Sequence, residues 1–341
     1  MTMNGNSAGA QAYSFLLVPE YSMIAFSAAL EALRMANQLS GRTLYRWEVL
    51  SYDGAPVAAS NGVTITPDRA ATEVGSVALV AVCGGNGIER TADPRLPAWL
   101  REQGRRGAEF AGVCTGSYLL AKAGLLDDYR CTVHWEYIAA MRELFPRVRV
   151  CDEVFAIDRT RYTCAGGNAP LDMMLHFITQ RHGRSLAAAI SEEFLCEHIR
   201  DDQDRQRIPL QTRLGANHPK LRSAVALMEA NIEEPIDLDE LARYVALSRR
   251  QLERLFQQHL GQVPSRYYLE LRLSRARQLL RQTELSIAVI SVVCGFVSSP
   301  HFSKCYRAQF GIAPREERWR ERAGGIAAAG SVPEAQPAQS V

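Results

Sequence analysis

One segment of the chain sets a sulfur nucleophile between glycines: Gly112-Val113-Cys114-Thr115-Gly116, behind the apolar run AEFAGV (108–113) and ahead of the helical stretch SYLLAKAGLL. A strand, a sharp turn carrying Cys or Ser, and a helix form the elbow that exposes a nucleophile at the carboxyl edge of an α/β sheet. The start of that helix is expected to lower the thiol pKa. A second loop, Cys83-Gly84-Gly85-Asn86, offers the backbone N–H groups of Gly84 and Gly85 as an anion or oxyanion site. His134 in TVHWE, with Glu136 two positions on, supplies the base that a Cys–His pairing needs. Three readings of Cys114 stand side by side: an inert buried thiol, a contact in a small-molecule pocket together with Thr115, and a working nucleophile. Binding is favoured over chemistry. Trp135, Tyr118 and Trp47 are either core aromatics or, with the acidic Glu20, the walls of a cation site, because aromatic faces attract quaternary ammonium groups.

A different chemistry is written twice in the C-terminal part. An offset of 50 residues superposes Ser248 on Ser298, Leu252 on Phe302, Phe256 on Tyr306, Leu260 on Phe310, Gly261 on Gly311 and Pro264 on Pro314. Each copy reads as a short apolar helix (Leu238–Val245; Ile287–Cys294), a turn, a Ser N-cap, and an amphipathic helix closed by Gly. That is a helix-turn-helix unit. In the first copy Leu252, Leu255 and Phe256 point inward, leaving Arg250, Glu253, Arg254 and Gln257 on the opposite face. In the second, Phe302, Cys305 and Tyr306 point inward and Pro300, His301, Ser303, Lys304 and Arg307 outward. A helix in the major groove must offer side chains that bond base edges, with cations nearby for phosphates. Arg254 can donate a bidentate pair to guanine, while Lys304 and Arg307 read bases or anchor the backbone. The blander alternative, two solvated faces of a helical packing domain, is disfavoured by duplication, charge and caps together. Joined by a long helix, Pro264–Gln282, the two readers are expected to engage successive major-groove segments about one turn apart.

These two chemistries need separate frames. A chain of 341 residues exceeds the roughly 250–300 that one core serves, so two domains are expected. The runs YSFLLV (13–18), WEVLS (47–51), VALVAVC (77–83), AEFAGV (108–113) and VFAI (154–157) have the length and β-branched content of buried strands. Helices are expected between them at 22–38, 94–104, 115–125, 134–145 and 169–182, which implies a mainly parallel sheet with helices on both faces. Residues 12–200 form this ligand-sensing domain, 201–217 a polar linker interrupted by Pro209, and 218–320 the helical domain; 1–11 and 321–341 are expected to be disordered. Residues 1–216 hold 22 Lys+Arg against 24 Asp+Glu, net −2, whereas 217–320 hold 16 against 11, net +5. The basic excess sits on the helical part, as a DNA partner requires. No run approaches the roughly 18 apolar residues of a membrane span, and Met1–Gln11 lacks the regions of a signal peptide; a cytoplasmic protein with no membrane partner is expected. The eight cysteines show no CxxC pairing and the seven histidines no HExxH, so reduced thiols and no metal are expected.

The residues of the repeat resemble the AraC/XylS family of bacterial transcription regulators: LSRRQLERLFQQHLG, then P-x-x-Y-x-x-x-x-R-L-x-x-A-R-x-L-L from Pro264 to Leu280, then CGFVSSPHFSKCYRAQFGIAP. The resemblance implies base- and phosphate-contacting positions at Arg250, Glu253 and Arg254 in the first unit and Ser299, His301, Ser303 and Lys304 in the second. Ser248, Arg249, Ser298 and Arg307 complete the expected DNA-facing set. GIAPREERWR departs from the family, which often has a Tyr-Arg pair shortly after the proline; the departure is expected to affect only the domain's end.

Residues 13–200 resemble the PfpI/ThiJ-like branch of the glutamine-amidotransferase-like fold, a flavodoxin-like α/β sandwich, with Cys114 at the elbow position, His134 as its partner and Gly84–Gly85 as backbone donors. Enzymatic members usually present a Glu from the helix after the first strand; here that helix begins SMIAFSAAL and only Glu20 and Glu31 flank it. The fusion is similar to the GlxA-like subgroup of AraC-type regulators through LLVPEYSM, EALRMAN, SNGVTITPD, AGLLDDYRCTVHW, FAIDRTRYTCAGGNAPLDMML and RQRIPLQTRLGANHPKL. It implies a regulator, usually an activator, that binds operator DNA as a homodimer, meets RNA polymerase, and answers an amino acid or quaternary amine of the arginine, carnitine or glycine betaine type whose catabolic genes it controls. The expected effector residues are Glu20, Gly84, Gly85, Cys114, Thr115, His134 and Trp135, without a cofactor. The alternative is a Cys-dependent hydrolase or lyase acting through Cys114 and His134 on a small amide or carbonyl compound.

Overall fold

The computed structural model describes residues 9–196, 199–201, 204, 206 and 218–320. The chain divides into two compact units, Met1–Arg207 and Ile208–Val341. The disorder expected at 1–8 and 321–341, and the linker residues 207–217, fall outside the described residues; Gln11, expected to precede the ordered chain, opens the first strand.

In the first unit the chain runs β1 (Gln11–Leu17), α1 (Met23–Ser40), β2 (Tyr45–Ser51), three two-residue strands β3 (Val57–Ala58), β4 (Thr64–Ile65) and β5 (Arg69–Ala70), and β6 (Leu79–Cys83). Then follow α2 (Ile88–Thr91), α3 (Leu96–Arg105), β7 (Glu109–Val113), α4 (Gly116–Lys122), β8 (Arg130–Cys131), α5 (Ile138–Leu144) and β9 (Arg149–Val150). The unit closes with β10 (Phe155–Asp158), β11 (Arg161–Cys164), α6 (Ala169–His182) and α7 (Arg184–Glu193). The main sheet has the order β10-β11-β7-β6-β1-β2-β5, parallel throughout except for the β10–β11 hairpin. Successive side chains of a strand point to opposite faces, and both faces are buried. Phe15, Leu17, Ala81 and Cys83 join the core beneath α1, α6 and α7, while Leu16, Val18, Val80 and Val82 join the core beneath α3 and α4.

Besides the two-residue strands and the short α2, two longer elements lie outside the expected set. β11 inserts beside β7, and α7 follows α6 directly across Gly183. The helix expected over 134–145 begins instead as a 3₁₀ turn, Trp135–Tyr137. The register aligns Cys83 with Val113 and Val113 with Cys164, so three neighbouring parallel strands deliver cysteines to one sheet edge. Beyond α7 the chain folds back onto α6: Arg200 donates to the buried Asp172 carboxylate from its backbone N–H at 3.0 Å and its guanidinium at 2.7 and 3.0 Å. Asp204 and Gln206, inside the expected linker, are also bonded to this unit, through Val154 and Asp152.

The second unit contains α8 (Pro219–Ala230), α9 (Leu238–Tyr244), α10 (Arg249–Leu260), α11 (Pro264–Gln282), α12 (Ile287–Val293) and α13 (Ser299–Phe310), with 314–320 again helical. Ser248 caps α10 in a capping box with Gln251, and Ser298 caps α13 by accepting from the His301 N–H. Gly261 and Gly311 end these helices in the left-handed conformation. Each helix-turn-helix bend is closed by a cation from an earlier helix. Lys220 donates to the Ala246 carbonyl at 2.7 Å, and Arg272 donates to the carbonyls of Cys294 and Gly295 while lying over the Phe296 ring. The segment with the departing GIAPREERWR sequence does not stop at the domain's end, contrary to expectation: Glu317 accepts a hydrogen bond from Tyr306 in α13. Among the described residues no helix is long and apolar enough to cross a membrane.

Candidate functional site

Cys114 follows β7 with φ 59°, the left-handed conformation that marks a strained elbow. Its neighbours leave no room for larger residues. A Cβ on Gly116 would stand 1.9 Å from the Val82 carbonyl oxygen, and one on Gly84 2.5 Å from the Thr115 hydroxyl. Thr115 donates that hydroxyl to the Gly85 carbonyl at 2.8 Å, and the His134 N–H donates to the Cys114 carbonyl at 3.1 Å. Opposite the elbow, a Cβ on Gly166 would lie 3.1 Å from Cys114 Sγ and 2.6 Å from His134 Cδ2. Sulfur and imidazole therefore converge over the bare Cα of Gly166. No expectation fell on Gly166, yet its signal is legible: Cys164-Ala165-Gly166-Gly167-Asn168 repeats the Gly-Gly-Asn that follows Cys83.

The remaining expected residues divide. Trp135 lies beside His134, with ring centroids 5.7 Å apart. Glu20 adopts φ 65° and reaches the site through its backbone, accepting from the Asn86 N–H at 3.0 Å. Gly84 is corrected: its N–H donates to the Val113 carbonyl at 3.2 Å and offers nothing to an anion, leaving Gly85 as the loop's remaining donor among the described residues. The cation cage is corrected too. Tyr118 packs on Tyr137 and Phe145 in one core, whereas Trp47 packs against the core on the other face of the sheet.

The electrostatics overturn the expected activation of the thiol. Burial leaves Cys114 5% exposed and pushes its pKa up to about 12; the Thr115 backbone N–H opposes the rise and the charge of Glu136 adds to it. Burial also lowers the His134 pKa, against the pull of Glu136, whose carboxylate stands 3.8 Å from Nδ1. Near neutral pH the pair is a thiol beside a neutral imidazole. Alkylation of Cys114 by iodoacetamide, read by peptide mapping, is therefore expected to stay slow through the ordinary thiol range of about 8.5. Rapid labelling of Cys114 at neutral pH would contradict this. Because the folded value is raised, the linked stability is present below about 9 and is lost as the pH rises toward about 12. Among the described residues no group of three or more His, Cys, Asp or Glu could hold a metal.

In the second unit, burial along α10 from Arg250 and along α13 from Pro300 repeats residue for residue at the offset of 50. Leu252, Phe256, Phe302 and Tyr306 are fully buried, while Leu255 and Cys305 are only partly so; Cys305, expected to point inward, contacts His301 Nε2 at 3.4 Å. Arg250, Arg254, Lys304 and Arg307 are exposed, and among the described residues their side chains make no hydrogen bond or ion pair. Other expected DNA-facing residues are engaged within the unit. Arg249 bridges Asp239 and Glu253, each at 3.1 Å, and Ser299 bonds Ser291 of α12 at 3.0 Å. Ser248 and Ser298 act as caps, and Ser303 is half-buried.

Comparison with known proteins matches residues 14–180 to the DJ-1/PfpI family and residues 241–320 to a helix-turn-helix domain. The chain is 59% identical over 308 residues to the HTH-type transcriptional regulator GbdR of Pseudomonas aeruginosa strain UCBPP-PA14, covering 90% of this chain and 84% of that protein. It is 46% identical over 308 residues to the HTH-type transcriptional regulator CdhR of Pseudomonas aeruginosa strain PAO1, covering 90% and 91%. Among solved structures, an AraC family transcriptional regulator from Pseudomonas putida superposes with a TM-score of 0.50 at 30% identity, covering 54% of this chain and 99% of that one. These full-length relatives are named regulators and not enzymes, and a helix-turn-helix domain implies DNA binding. A DJ-1/PfpI-type α/β domain followed by a double helix-turn-helix, shared with them along nine-tenths of its length, makes this chain a member of the AraC family of transcriptional regulators.

Proposed function

We propose that this regulator senses a small nitrogen-containing metabolite, an amino acid or quaternary amine, at the Cys114–His134–Gly166 site. It then controls genes for that compound's catabolism, most simply as an activator. The observation that supports the DNA side is the pair of matched faces on α10 and α13, where among the described residues four cations lack protein partners while most other arginines of the unit have them. Phosphates and guanine edges are the partners such cations await. The effector class rests on the resemblance to regulators of arginine, carnitine and glycine betaine catabolism, and on an elbow cysteine held as an unreactive thiol, which suits a binding contact better than a nucleophile. The expected operator complex is a homodimer on paired half-sites that recruits RNA polymerase in the cytoplasm. The proposed domains are an effector domain whose packing includes Asp204 and Gln206 and a reader from residue 218.

A fusion of sensor and reader works only if the ligand binds two states with different affinity. Gln206 offers a route. Its side-chain amide donates to the Thr132 hydroxyl at 2.7 Å, the Val133 carbonyl at 2.7 Å and the Glu153 carbonyl at 3.1 Å, one residue from His134. A shift of His134 on ligand binding would loosen or tighten the segment that leads to the reader. Gln206→Ala is expected to leave DNA affinity within about twofold and to blunt the effector response of a promoter reporter; an unchanged response would rule this route out. The test of the reading itself is a thermal-shift screen of the full chain against amino acids, carnitine and betaines. Saturable stabilisation by one of them is expected, because a ligand of the folded state raises its melting temperature. No shift across the panel would overturn the amine assignment.

A further inference from the structure

The two helix-turn-helix units are fastened to their following helices by different chemistry. In the first, Tyr267 of α11 meets Phe256 of the reading helix α10, ring edge to ring face at 5.6 Å. At the offset of 50 these positions become Glu317 and Tyr306. Glu317 is 4% exposed and holds four interactions at one point. It accepts from the Tyr306 hydroxyl of α13 at 3.1 Å, and from Arg277 at 3.2 Å and Arg281 at 2.7 Å, both on α11; a second nitrogen of Arg281 stands 2.6 Å away. The Arg277 guanidinium also lies over the Phe310 ring at the end of α13. Where Tyr267 and Phe256 meet ring to ring, the second joint is a buried carboxylate between two guanidinium groups and a phenol.

We propose that Glu317 is a positioning residue for DNA recognition, fixing the angle of the second reading helix α13 on α11 so that Lys304 and Arg307 meet the DNA in register with Arg250 and Arg254. The inference rests on α13 as a DNA-reading helix. Burial alone would raise the Glu317 pKa; the hydrogen bonds and charges of Arg281 and Arg277 outweigh it and hold the carboxyl ionised, below the ordinary carboxylate range. Remove the charge and Arg277, Arg281 and the Tyr306 hydroxyl lose their common partner. The Tyr267–Phe256 ring contact of the first joint does not include Glu317. The effect is therefore confined to one of two readers in the same unit, an asymmetry that general loss of folding does not produce.

The experiment uses the full chain and DNA duplexes recovered from a randomised pool by the wild-type protein, with footprinting and affinity read together. Glu317→Gln is expected to weaken binding at least tenfold and to erase protection over the segment read by α13, leaving the segment read by α10 protected. Tyr306→Phe, which keeps the ring and removes only one hydrogen bond, is expected to produce a smaller, severalfold loss over the same segment. Glu317→Tyr restores an aromatic joint like the first and is expected to regain protection. Equal loss over both segments in Tyr306→Phe, or unaltered footprints in Glu317→Gln, would overturn the proposal. A wild-type chain that selects no sequence at all would instead refute the DNA reading of α13 itself.

Discussion

Gly295→Ala is expected to unfold the second helix-turn-helix unit and abolish operator binding. Gly295 turns the chain between α12 and α13 at φ 73°. An L side chain in that conformation costs about 1–2 kcal/mol. The added Cβ would also lie 2.4 Å from the Ile232 carbonyl oxygen and 2.7 Å from the Pro235 ring, so the loop after α8 must move. Overpacking of this kind costs about 1–3 kcal/mol, and the sum, roughly 2–5 kcal/mol, is a large part of the stability of a small domain. The equivalent bend of the first unit makes the control, because Ala246 occupies it at φ 52°. Ala246→Gly relieves left-handed strain and is expected to change stability by no more than about 1 kcal/mol, in the stabilising direction. Denaturant unfolding of the full chain, followed by operator binding, checks both. A Gly295→Ala protein as stable as the wild type would show that the bend tolerates a side chain.

Arg254→Ala is expected to weaken operator binding by about 1–3 kcal/mol, roughly five- to 150-fold in Kd, and to relax preference at one base position. Arg254 stands exposed on α10 with no partner among the described residues, so its loss is expected to leave the fold intact and remove only what it gives to DNA. A phosphate contact and a base contact differ in their signature. Loss of a base-reading arginine changes which sequence is preferred, whereas loss of a phosphate-binding one weakens all sequences alike and flattens the salt dependence. Affinity and preference measured over a range of salt separate the two. Unchanged values in both would mean that Arg254 faces solvent in the complex.

The reader was the more legible half of the molecule because its signals are local. Ser caps, closing glycines and a helical apolar stripe act within a dozen residues, and duplication at an offset of 50 shows the same pattern twice. The sheet was legible where strands were long and apolar. β11, the four-residue RYTC between a turn and a glycine loop, carries too little pattern, and α7 sits so close behind α6 that only Gly183 separates them. At the elbow the residues could be named, but their chemistry depends on what covers them. A helix N-terminus argues for an acidic thiol; strands and helices distant in sequence bury Cys114 and reverse the sign. Glu317 was illegible for the same reason, since a glutamate in a charged segment reads as surface until α11 and α13 close around it.

The most direct test of the account is selection of duplexes from a randomised DNA pool by the full-length protein, followed by footprinting of the recovered sites. The account predicts a shared sequence with two protected major-groove segments on one face, about ten base pairs apart for each protomer, and affinity that falls steeply as salt rises. A pool without enrichment, or a footprint confined to one segment, would contradict it.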